Sequence, residues 1–181
     1  AALLMHTLTD EQLPPAVAAA LLVALRMKGE TATELRGLAT AMRELACRFE
    51  LGSAVAADVV GTGGDASGSL NLSTGSALVA AAAGVPIVKH GNRSVSSQSG
   101  SADVLEALGI RLPQTPADAR ALFDAAQFSF LFAPNFHPAM KAIAPVRRAL
   151  GIRTVFNLLG PLSNPAAPPF GLIGACDLPT A

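Results

Sequence analysis

From about Leu51 onward the chain alternates short apolar runs with helical stretches across Gly-rich turns, and that alternation leaves few folds open. Strand-like runs cover residues 57–60, 85–89, 128–132, 153–157 and 171–176, with an extended stretch at 110–112. Helical patterning covers 74–83, 102–108, 116–127 behind a Thr115/Asp118 cap, and 138–150. Such a sequence predicts an α/β fold, a mostly parallel sheet with flanking helices, whose ligands sit at the carboxyl ends of the strands.

Two helices precede the first strand. Thr9 with Gln12 reads as a capping box, Pro14 and Pro15 suit a first turn, and Gly29 after Arg26 and Lys28 is a stop signal. The helix so delimited is apolar nearly all round (Ala16, Val17, Ala20, Leu21, Val23, Ala24), which calls for burial on more than one side, and a second copy is a natural outlet. A second capping box, Thr31 with Glu34, opens a helix carrying Leu35, Leu38, Met42 and Leu45 on one stripe. The expected division is a small helical domain over 1–52 and an α/β domain over 53–181.

Composition narrows the function. Thirteen basic residues balance thirteen acidic ones, so no overall positive field is available for nucleic acid, and an anion must be gripped locally. There is no Trp or Tyr to stack bases or anchor at a membrane surface. The apolar stretch 13–25 is too short to span a bilayer and follows Asp10 and Glu11 where a signal peptide carries positive charge. Cys47 and Cys176 have no metal-ligand spacing, which predicts two reduced thiols in a cytoplasmic protein.

Four segments carry chemistry. Gly61-Thr62-Gly63-Gly64-Asp65 follows the first strand, and its glycines let consecutive backbone amides converge on an anion; alone it is also simply a tight turn. No acidic residue follows at dinucleotide spacing and no G-K-[ST] is present, which disfavours a dinucleotide site and excludes a P-loop. Asn71-Leu72-Ser73-Thr74 stands at a helix start, where hydroxyls cap the helix and the positive dipole end suits a pyrophosphate and its metal. Lys89-His90-Gly91-Asn92-Arg93, running on through Ser94, Ser96 and Ser97, is poor core material and good anion-binding material. His137-Pro138-Ala139-Met140 leads to Arg147 and Arg148, of which one faces a cleft.

In order and spacing these four segments, with Asn157-Leu158-Leu159-Gly160-Pro161-Leu162-Ser163-Asn164-Pro165 and Arg26-Met27-Lys28-Gly29-Glu30-Thr31, resemble the anthranilate phosphoribosyltransferases. The resemblance implies a homodimer joined through the helices and magnesium-dependent use of phosphoribosyl pyrophosphate in tryptophan synthesis. It assigns the pyrophosphate to Gly61, Thr62, Gly63, Gly64 and Asp65, and the phosphates to Asn71 and Thr74. Magnesium falls to Ser73, the donor to Lys89, His90, Gly91, Asn92 and Ser97, and the anthranilate side to His137 and Arg147. Lys89 and Arg147 are the catalytic candidates. It also implies that the chain corresponds to the first half to two-thirds of the family's length, with an Asp-Glu pair for magnesium lying beyond. A pyrimidine nucleoside phosphorylase and a noncatalytic fragment are the alternatives.

Overall fold

The computed structural model describes residues 1–62, 70–94, 99–175 and 177–181. Its helices and strands in chain order are α1 (Ala2–Leu8), α2 (Pro15–Lys28), α3 (Ala32–Glu44), β1 (Ala57–Gly61), α4 (Leu72–Ala82), β2 (Ile87–Gly91), α5 (Ser101–Ala107), α6 (Pro116–Ala126), β3 (Phe128–Phe132), α7 (Ala133–Phe136), α8 (Met140–Leu150), α9 (Val155–Leu159) and β4 (Phe170–Gly174). The strands form one sheet in the order β3-β2-β1-β4, and each pairing is parallel, as the alternation predicts.

Local chemistry explains several boundaries. Thr31 accepts from the Glu34 amide at 3.3 Å while the Glu34 carboxylate accepts from the Thr31 amide at 3.0 Å, so the expected capping box starts α3. The Thr115/Asp118 pair does the same for α6, with both bonds at 3.1 Å. Replacing Thr31 with Ala is expected to cost about 1 kcal/mol of folding free energy. A urea midpoint indistinguishable from that of the unchanged chain would count against this cap.

Two readings are corrected. Thr9 does not open α2: its hydroxyl donates back to the Met5 carbonyl at 2.9 Å and so closes α1, while Pro14 and Pro15 start α2 without a side-chain cap. The run 153–157 is not a strand. Its apolar residues are too few to distinguish the two periods, and the Asn157 side chain accepts from the Thr154 amide at 3.0 Å, which fixes a helix start and buries Val155, Phe156 and Leu159. The stretch 110–112 is outside the sheet.

Among the described residues three hydrophobic clusters hold the fold together. The sheet separates two of them: Val88 and Leu131 pack with Phe49, Phe123 and Phe136, whereas Ile87 and Phe130 pack with Ala77, Ala102 and Leu105. This is the alternation of side chains along β2 and β3 seen from both faces. The third cluster draws on both sides of the expected 52/53 boundary, because Ile143 and Val146 of α8 and Val155, Phe156 and Leu159 of α9 pack with Met5, Leu22, Leu25, Leu38 and Met42. That packing sets α8, and Arg147 on it, against the bundle. At the other edge β4 is exposed along its whole length, with Leu172 66% accessible, although parallel strands are normally covered on both faces.

Candidate functional site

Because the strands are parallel, the carboxyl ends of β1, β2 and β3 share one edge of the sheet, and the segments singled out in the sequence leave from that edge. Gly61 ends β1, with Thr62 donating to Gly174 at 2.9 Å, and both residues are half-buried. Gly63, Gly64, Asp65 and Ser97 lie outside the described residues.

The start of α4 is joined to the segment after β2. Asn71 is the residue before α4, and its side-chain amide donates to the Ser99 carbonyl at 3.3 Å rather than capping the helix. Ser73 is half-buried in the first turn and Thr74 is buried. Two glycines allow the close approach behind this join. A Cβ on Gly91 would collide with the Ser101 hydroxyl and stand 2.9 Å from the Phe130 ring, and one on Gly100 would collide with the Ser94 amide nitrogen. The residues of this loop diverge in exposure: Asn92 is exposed, while Lys89 and His90 are buried.

Lys89 donates to the Val59 carbonyl, bridging β2 to β1. Burial pulls its pKa down from the usual lysine value, and the Asp58 charge partly offsets this. Asp58 is buried, and burial pushes its carboxyl up, against the hydrogen bond from Asn164 and the Lys89 charge. The Asn164 amide donates to Asp58 and to the Val88 carbonyl, both at 2.9 Å, so one buried side chain ties the starts of β1 and β2. Sequence reasoning misses Asp58 as a member of the site's support. Its signal is an acid inside an otherwise apolar strand, a position that requires a partner.

His90 and His137 lie against one another at the sheet edge, their ring centroids 5.0 Å apart. His90 Nδ1 meets the Gly160 carbonyl at 3.3 Å, while Nε2 of both rings is buried without a hydrogen-bond partner among the described residues. Burial holds both well below the ordinary histidine value, His90 at about 3, with the His137 charge adding to the effect, and His137 at about 4. Both rings are therefore neutral near pH 7, able to present one donor and one acceptor nitrogen each.

The basic residues have separate fates. Arg93 is taken by its neighbours, bidentate to Glu106 and bonded to Asp103 at 2.9 Å. Arg147 is half-buried with its guanidinium 4.8 Å from the centre of the Phe156 ring. Burial lowers its pKa from the usual arginine value, but a guanidinium remains charged. Arg148 is exposed, so Arg147 is the inward-facing member of the pair, as adjacency on a helix requires. Among the described residues no group of three or more His, Cys, Asp or Glu gathers to hold a metal, and no helix is long and apolar enough to cross a membrane.

The sequence and the fold both have known counterparts. Anthranilate phosphoribosyltransferase of Ralstonia pickettii (strain 12J) is 51% identical over 174 residues, which are 94% of this chain and 50% of that protein. The crystal structure of anthranilate phosphoribosyltransferase from Thermus thermophilus superposes with a TM-score of 0.89 at 50% identity, covering 96% of this chain and 53% of that one. The enzyme of the same name from Saccharomyces cerevisiae, solved in complex with PRPP and Mg, gives 0.88 at 30% identity, over 99% of this chain and 53% of that one. The chain thus spans about half the length of the curated relatives it matches. Residues 1–46 match the helical bundle domain of the glycosyl transferase family and residues 53–180 match its a/b domain, and the chain belongs to that family.

Proposed function

We propose that the chain is the donor-gripping part of an anthranilate phosphoribosyltransferase, which transfers the phosphoribosyl group of phosphoribosyl pyrophosphate to the amine of anthranilate. The observation that carries this reading is the Asn71–Ser99 bond, which brings a helix start onto the loop after β2 at the sheet's carboxyl edge. Amides at a helix start and glycine-lined backbone are what a diphosphate needs. The names of the relatives support the choice of substrate.

In this reading the aryl amine, unprotonated at neutral pH, attacks the anomeric carbon while the C–O bond to pyrophosphate breaks. Little base catalysis is required, so the protein's contribution is positioning and neutralisation of the leaving group. Gly61 and Thr62, with Gly63, Gly64 and Asp65, would line the pyrophosphate, and Asn71, Ser73 and Thr74 the phosphates. Lys89 has its ammonium on the Val59 carbonyl, so its share would be exerted through the end of β1, two residues before Gly61. Asn92, His90, Gly91 and Ser97 would meet the donor. Magnesium, when bound, offsets pyrophosphate charge. Such an ion takes most of its oxygens from phosphate and water, so the Ser73 hydroxyl is a fitting single contribution from this chain. Arg147, held over Phe156, would orient the anthranilate carboxylate beside His137.

The outer face of α2 remains apolar and exposed at Ala16, Val17, Ala20 and Ala24, which supports a homodimer through the helices. The thiol of Cys47 is free, in keeping with a cytoplasmic setting.

Calorimetry on the chain with phosphoribosyl pyrophosphate tests the reading. Binding should require magnesium, and Arg147→Ala should leave it intact while weakening subsequent anthranilate binding by about tenfold or more. Saturable binding of thymidine and phosphate with none of phosphoribosyl pyrophosphate would replace the proposal with a nucleoside phosphorylase, and no binding at all would leave a noncatalytic fragment.

A further inference from the structure

We infer that Asp103 is a positioning residue for the donor: one carboxylate clasps Ser94 and Gly100, on either side of residues 95–98, and so fixes the backbone beside Asn92. Asp103 Oδ2 accepts from the Ser94 amide at 3.1 Å and from the Gly100 amide at 2.8 Å, so residues six apart in sequence meet on one oxygen. Its Oδ1 takes Arg93 at 2.9 Å, and Arg93 is shared with Glu106 and lies 5.6 Å from the Phe132 ring centre. The Asn92 carbonyl is held next to this clasp by the Ala102 amide and the Ser101 hydroxyl, both at 3.2 Å.

Helix capping accounts for only part of this. As the third residue of α5, Asp103 would bond the Gly100 amide whatever the loop did, but the Ser94 bond belongs to the loop's other end. The ion pair is not the main contribution either, since Arg93 and Asp103 side chains are 48% and 33% accessible and such pairs are weak. The two amides matter more. They bring the loop's ends so close that a Cβ on Gly100 would stand 2.5 Å from the Arg93 carbonyl carbon. Ser99, next to Gly100, is the residue to which Asn71 bonds, so the clasp also fixes how the start of α4 meets the loop. With Ser94 and Gly100 held in this way, Asn92 and Asn71 are offered to a ligand already in place, and the cost of ordering them is removed from binding. The inference rests on the donor reading above.

The test uses Asp103→Asn on the full 181-residue chain. Asparagine keeps the size but puts an NH2 donor against the Arg93 guanidinium, and its one remaining oxygen is neutral, so the bonds from the Ser94 and Gly100 amides lose their charge assistance. Glu106→Gln, which disturbs Arg93 and leaves the clasp intact, is the control. Amide hydrogen exchange by NMR and calorimetry with magnesium and phosphoribosyl pyrophosphate are the readouts. In Asp103→Asn the Ser94 amide should exchange about tenfold faster, with α3 amides and the thermal midpoint unchanged, and the dissociation constant should rise about tenfold. Glu106→Gln should change neither. Faster exchange with unchanged affinity overturns the inference, as does a loss of protection spread over the whole chain, which would mark Asp103 as structural only. If the unsubstituted chain binds and Asp103→Asn binds equally well, only this inference falls; if the unsubstituted chain does not bind, the donor reading falls and takes the inference with it.

Discussion

At pH 5 the fold is expected to be roughly 4 kcal/mol less stable than at pH 7, through His90 and His137 alone. Both rings are nearly inaccessible, at 4% and 2%, and their pKa values are held at about 3 and about 4. The unfolded chain titrates them near 6.5. Groups whose folded pKa is depressed contribute stability that is complete above the unfolded value and is lost as pH falls towards the folded one. Here the loss begins below about pH 6.5, because the unfolded state takes up protons that the fold refuses. Each ring loses roughly 2 kcal/mol by pH 5, and together this is a large share of a typical domain's roughly 5–15 kcal/mol.

The surroundings of the pair set the sign and its limits. Lys89 adds a positive charge against His90, which opposes protonation further, while backbone oxygens of Gly160, Ser163 and Met42 oppose the shift without reversing it. Asp58 works the other way. Burial raises its carboxyl, so the fold binds that proton before the unfolded chain does, and part of the loss is recovered at the acid end. Glu34 and Asp103 have depressed values and contribute losses only at lower pH. Urea unfolding at pH 7, 6 and 5 measures the slope. His137→Asn should roughly halve it, and a stability that is flat between pH 7 and pH 5 would show that the rings are not neutral in the fold.

How much of this is legible in the sequence follows the range of each interaction. The Thr31/Glu34 and Thr115/Asp118 boxes span three residues and can be read directly, as can the parallel sheet, whereas adjacency says only that one of Arg147 and Arg148 faces inward and the fold shows which. Thr9 misleads because Thr-x-x-Gln fits a helix start in letters alone, whereas a short helix before it supplies carbonyls for its hydroxyl. Residues 153–157 mislead because so short a run, with few apolar residues, has no period of its own. The state of Lys89 is not legible at all. In sequence it is an unspent cation beside a Gly-rich turn; in the fold it is buried against Val59 and Asp58, thirty residues away along the chain. Asp103 is likewise not singled out by the sequence, and its bond to Ser94, nine residues away, exists only in the fold.

Asn164→Ala is expected to cost about 3–5 kcal/mol, because it removes buried hydrogen bonds and isolates a charge, a larger effect than any surface change in this chain. Asn164 is 5% accessible and uses its whole amide: the nitrogen donates to Asp58 and the Val88 carbonyl, and the oxygen accepts from the Ala166 amide, each at 2.9 Å. Alanine removes the best partner of a carboxylate that is already costly to bury. What remains to Asp58 is the His90 amide at 3.4 Å, the Val59 amide and the charge of Lys89. The adjoining backbone matters as well. Asp58 and Val88 are the second residues of β1 and β2, so releasing Asn164 loosens the two strands whose far, carboxyl ends carry the proposed donor loops. Asp58→Ala should therefore be strongly non-additive with Asn164→Ala, because the second change removes the charge that the first left unpaired. Urea unfolding of the single and double variants completes the cycle. Additive losses, or a loss below about 1 kcal/mol for Asn164→Ala, would mean that Asp58 is protonated in the fold and needs no partner.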